Sequence, residues 1–151
     1  MRNTLLSLTL LCVLTPLPSW AQKQVIAPPE FGRPGSAAPP FSPGILIDGT
    51  LYIAGQVGSD LKTRSMPPDF ETEVKNCLDS IGIILKAAGM SYDDVVSAQV
   101  FLTDMSLFQK MNGVYTSVLK EPRPARTTVG VSQLAAAGAH IEINMIARKA
   151  H

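Results

Sequence analysis

The sequence predicts an α+β fold: a mixed β-sheet with two helices on one face, in the order β-β-α-β-α-β-β. Three observations carry this. Asp48-Gly49 stands between two apolar runs, the strongest short-range hairpin signal. Apolar residues recur at three- and four-residue steps over 69–89, which marks one face of a helix. The last segment alternates strictly: Ile141, Ile143, Met145 and Ala147 against His140, Glu142, Asn144 and Ile146, the pattern of a half-buried strand. At 151 residues the chain suits one domain with a leader.

Residues 1–21 read as a secretory signal peptide. Arg2 supplies the positive start, Leu5 to Leu14 the apolar core, and Ser19-Trp20-Ala21 the small-x-small cleavage site. Cleavage is expected after Ala21, with export to a periplasm or the exterior. The apolar run is too short for a bilayer, which needs about 20 residues, so no membrane segment is expected in the mature form. Residues 22–44 hold six prolines and are expected to form an extended arm that is no helix and a poor strand. Residues 45–151 form the domain.

Taken in order, Ile45–Ile47 and Thr50–Ala54 make the hairpin. Gly55 and Gly58 follow, fitting either tight backbone or a close approach by a ligand. Asp69 is the expected N-cap of the first helix, with Phe70, Val74, Cys77, Leu78, Ile81, Leu85 and Ala88 on its apolar face and Gly89 at its end. Gly82, inside it, suggests close packing on the sheet. Val95–Leu102 reads as a buried strand. Asp104 or Ser106 caps a second helix, about 105–119, with Phe108, Met111 and Tyr115 inward and Asn112 beside them. Two prolines then lead into Arg126-Thr127-Thr128-Val129, whose β-branched run favours a strand. Arg126, Thr128 and Gly130 share one face of it. A two-layer fold of this kind leaves the other sheet face for partner subunits.

Composition excludes several functions. Without Arg2, the 12 remaining basic residues meet 12 acidic ones, so the mature chain has no electrostatic footprint for nucleic acid. Cys12 lies in the leader, leaving Cys77 without a partner and expected to be buried and inert. Two histidines, His140 and His151, are too few for a histidine-rich metal site. Asp93-Asp94 reads as a helix-to-strand turn. What remains is Arg126 with Thr128 on one strand, Glu142 with Asn144 on another, and Asn112 on a helix. Arg126 is either a solvated charge, half of an ion pair with a glutamate, or an anion clamp, since a guanidinium matches a carboxylate bidentately.

Several segments together resemble the Rid (YjgF) family, the reactive intermediate deaminases. They are Pro40-Phe41-Ser42-Pro43-Gly44, Ala54-Gly55-Gln56-Val57, Leu85-Lys86-Ala87-Ala88-Gly89, Val100-Phe101-Leu102-Thr103-Asp104-Met105, Asn112-Gly113-Val114-Tyr115, Pro124-Ala125-Arg126-Thr127-Thr128-Val129 and Ile141-Glu142-Ile143-Asn144-Met145-Ile146-Ala147. The resemblance implies a chorismate-mutase-like two-layer fold, a homotrimer and ligand clefts between subunits. It implies hydrolysis of 2-imino acids, formed from enamines such as 2-aminoacrylate, to 2-oxo acids and ammonia, with no metal or organic cofactor. Arg126 matches the carboxylate-binding arginine and Glu142 the glutamate that orients water. Asn112, Thr128, Gly55 and Phe41 match the substrate cleft. Phe41 and Ala54 stand where tyrosine and serine are usual, Thr128 where many members carry cysteine, and Asn144 where a second glutamate is usual. A trimeric protein that binds small carboxylates without turnover is the alternative these departures leave open.

Overall fold

The computed structural model describes residues 22–32 and 39–149; the expected leader lies outside them. Six strands and two helices appear. Strand β1 is Gln24–Ile26, β2 Gly44–Ile47, β3 Thr50–Val57, helix α1 Phe70–Ala87, β4 Val95–Leu102, α2 Phe108–Val118, β5 Ala125–Gly130 and β6 Ile141–Arg148. The sheet order is β1-β2-β3-β6-β4-β5. Every pairing is antiparallel except β4 with β5, which α2 connects, as a parallel pair requires.

The expected element order holds, with one strand added. The arm was expected to be a poor strand, yet Val25 pairs with Ile45 in β1–β2. The reason is local: Gln24-Val25-Ile26 precedes the first proline of the arm, Pro28, and a single 3-10 turn over Pro29–Phe31 follows. The β2–β3 hairpin turns on Asp48 at φ 48° and Gly49 at φ 71°, the two positive angles a type I′ turn demands.

Helix α1 starts where Asp69 accepts from the Thr72 amide at 2.8 Å and ends before Gly89 at φ 67°, the left-handed position glycine tolerates. Its buried side packs on the sheet through Val74, Leu78, Ile81, Ile84 and Leu85. Gly82 does not meet the sheet as expected. A side chain there would touch the Tyr92 ring at 3.5 Å, because Tyr92 reaches over the helix to the Leu78 carbonyl. Ser91 and Asp94 cap each other at the entry to β4, so the Asp93-Asp94 pair is a turn. Asp104 caps the 3-10 turn that opens α2.

The core lies between the helices and one sheet face, where Leu51, Val100, Leu102, Ile141 and Ile143 are fully enclosed. The opposite face carries Glu142, Asn144 and Ile146 on β6 and is uncovered among the described residues: Tyr52 is 49% and Val129 40% exposed. Cys77 is enclosed as expected. Its thiol donates to the Gln56 carbonyl at 2.8 Å, and burial pushes its pKa far above the usual thiol range.

Candidate functional site

The predicted site residues fall into two groups. The first sits where the edge strand β5 meets α2. Parallel pairing sets Arg126 beside Ala98 and Thr128 beside Val100, so both point towards the helix layer. There the Arg126 guanidinium lies 4.6 Å from the Tyr115 ring centre and 5.7 Å from that of Phe108. Such stacking suits a weakly hydrated guanidinium and fixes its plane. One terminal nitrogen donates to Asn112 Oδ1 at 2.8 Å and the other lies 3.9 Å from Met111 Sδ. A guanidinium has five donors, so its fork keeps capacity for a carboxylate. Two buried hydroxyls stand on the same strand and helix, Thr128 Oγ1 and Tyr115 Oη, and neither has a partner among the described residues. Burial raises the Tyr115 pKa against the pull of Arg126 and Arg123, so the phenol stays neutral.

The second group surrounds Glu142. A β-bulge makes it possible. Between Ile53 and Gln56, β3 uses one residue more than β6 uses between Met145 and Ile143, and such an extra residue bends the strand and re-aims what it carries. Gly55 lies in that bulge, directly beneath Glu142. A Cβ on Gly55 would fall 2.0 Å from Glu142 Oε1. The carboxyl opens onto a cavity of about 330 Å³ lined also by Phe41, Ala54, Val57, Ala135 and Ala136. Among the described residues, no hydrogen bond or ion pair engages the Glu142 carboxyl. A larger hollow, about 1070 Å³ between the arm and β3, shares Phe41, Gly55 and Val57 with this cavity but reaches neither Glu142 nor Arg126. Its one charged lining residue, Arg64, has its guanidinium engaged by the Glu30 and Gly32 carbonyls at 2.8 and 3.1 Å.

These two groups are on opposite faces of the sheet. Arg126 is level with Ala98, which pairs with Met145 on the helix side. Glu142 is three residues from Met145 on the same uninterrupted strand, and an odd step crosses the sheet. The two cannot form the ion pair considered from sequence, nor can one protomer bring both to a small ligand. The strand faces themselves were foreseen; their relation across three strands was not, because it depends on register. Sequence reasoning also missed Glu73, which is 1% exposed on α1. Counting apolar positions alone gave no signal for it.

A mixed sheet backed by two helices, with Arg126 stacked at its edge and a glutamate above a glycine bulge, defines a two-layer α+β fold. The chain belongs to the Rid (YjgF) family: the family model described as Endoribonuclease L-PSP matches residues 33–149. A RutC family protein of Sulfurisphaera tokodaii is 42% identical over 111 residues, covering 73% of this chain and 88% of that one. The bovine 2-iminobutanoate/2-iminopropanoate deaminase is 39% identical over 113 residues, covering 74% and 82%. Among solved structures, RidA from an Antarctic Psychrobacter superposes with a TM-score of 0.76 at 32% identity, covering 83% of this chain and all of that one.

Proposed function

We propose that this protein hydrolyses 2-imino acids to 2-oxo acids and ammonia, in sites assembled from two copies of the chain. Arg126 of one copy holds the substrate carboxylate through a bidentate, charge-assisted pair. Glu142 of a neighbouring copy takes a proton from water as the oxygen adds to the imine carbon. That proton passes to nitrogen; Glu142 then takes the remaining hydroxyl proton as the C–N bond breaks and the carbonyl forms, and ammonia leaves and carries that proton away as ammonium. The protonated imine is already electrophilic, so the step uses no cofactor.

The observation that carries this reading is the division of the charged pair between the two sheet faces. Arg126 lies at the edge, and Glu142 opens from the uncovered face that carries exposed Tyr52 and Val129. A second copy laid on that face closes the cavity and supplies the missing partner; a homotrimer repeats the arrangement with closed symmetry. The name of the bovine relative supports the substrate class. A ribonuclease reading lacks the basic surface that phosphate contacts need. Export through the 1–21 leader is part of the proposal, tested by cell fractionation.

The test generates a 2-imino acid with an amino-acid oxidase and traps it with semicarbazide. Wild-type protein is expected to suppress the adduct. Arg126→Ala should not, with affinity for pyruvate falling roughly 10²–10⁴-fold as two charge-assisted bonds are lost. Wild-type protein that binds pyruvate yet leaves the adduct untouched identifies a carboxylate-binding protein instead.

A further inference from the structure

Glu73 is a fully enclosed carboxylate that the chemistry above does not use. Its Oε1 accepts the amides of His140 at 2.7 Å and Ile141 at 3.2 Å, and its Oε2 lies 2.9 Å from His140 Nδ1. These contacts tie α1 to the head of β6, where β3 has run out: the last β3–β6 pair is Val57 with Glu142. Gly58, next along, turns against the helix so closely that a Cβ there would lie 2.0 Å from the Glu73 carbonyl oxygen. A buried carboxylate is costly unless its acceptor sites are filled. Here they are filled by the His140 and Ile141 amides, just ahead of Glu142, and by the His140 ring.

We infer that Glu73 is a positioning residue for Glu142. Its carboxylate holds the Ile141 amide, and thereby sets the backbone from which the Glu142 carboxyl is aimed over Gly55. The inference rests on Glu142 being the water-orienting group. What matters is reach. Glu73 spans from the first turns of α1 to β6; a side chain one methylene shorter falls short, whereas a glutamine presents an acceptor at the same distance. The His140 ring, 54% exposed, adds the outermost contact, but the two backbone bonds do not need it.

Three variants separate reach from charge. Glu73→Gln should keep kcat within about threefold, since an amide oxygen still accepts both amides. Glu73→Asp should lower kcat roughly tenfold or more, with KM and the Kd for pyruvate within about twofold, because Arg126 is untouched. His140→Ala should stay within about twofold of wild type in kcat. Amide hydrogen exchange across 140–142 should quicken in the Asp variant and not in the Gln variant. Wild-type turnover and exchange in the Asp variant would overturn the inference. So would a Gln variant as impaired as the Asp one, which would assign the role to charge. Should wild type show no imine hydrolysis, the functional reading fails on its own, and the exchange pattern still decides whether Glu73 holds the strand.

Discussion

Replacing Gly55 with alanine isolates the Glu142 carboxyl from everything else. The new methyl would sit 2.0 Å from Oε1, 2.8 Å from Cδ and 3.1 Å from Cγ. Carbon contacts settle near 3.5–4.0 Å, so the carboxyl must retreat by about 1.5 Å. It is the end of a flexible side chain, and displacing it costs about 0.5–1.5 kcal/mol in rotamer strain. Alanine in a strand recovers about 0.5–1 kcal/mol of backbone entropy relative to glycine. The two terms nearly cancel, so Tm should move by only a few degrees, roughly what 1 kcal/mol produces in a domain of this size. Catalysis has no such compensation. A misplacement of about 1 Å in a reacting group lowers rate by about 10²-fold. Semicarbazide competition should therefore show kcat down about 10²-fold in a protein that melts as wild type does. A Gly55→Ala variant with full activity would refute the placement of Glu142 as the water-orienting group.

Three further outcomes are expected. Thr128→Val removes a buried hydroxyl that has no partner among the described residues, so Tm should hold or rise; pyruvate affinity measured by calorimetry should fall about fivefold if a bound ligand satisfies that hydroxyl, and an unchanged Kd would show that it does not. Cys77, enclosed and with its thiol pKa raised by burial, should resist a thiol reagent at pH 8 until the protein is denatured; rapid native labelling would contradict its placement. The Asp69 carboxyl is held below its ordinary pKa by the Thr72 hydroxyl and amide, so its contribution is present above the unfolded value and is lost as pH falls through the folded one. The Tm difference between wild type and Asp69→Ala should accordingly be present at neutral pH and fade in strong acid; a difference independent of pH would refute the cap.

The sequence revealed most where structure is local. Asp48-Gly49 dictates its turn through backbone angles alone. The α1 stripe and the β6 alternation are periodic signals that need no tertiary knowledge. β1 was hidden because three strand-forming residues were judged with the prolines behind them. The bulge at Gly55 was compatible with the sequence but not required by it: an extra residue shows only against the partner strand. Glu73 reads as an ordinary surface charge until β6 is laid beside it. Arg126 and Glu142 stood out among the polar residues and the resemblance gave them roles, yet their separation by the sheet is a matter of register, which no single strand carries. Under the proposed function, that separation calls for a second copy.

The most direct measurement mixes two inactive proteins. Arg126→Ala and Glu142→Gln subunits, each without activity alone, are unfolded together, refolded as mixed oligomers and assayed for imine hydrolysis. If each site takes its arginine from one copy and its glutamate from the next, random mixing restores up to about a quarter of wild-type activity, since about one interface in four then pairs both intact residues. Recovery at that level is the predicted result. A mixture as inert as its components, in oligomers shown to contain both subunits, would contradict the shared site.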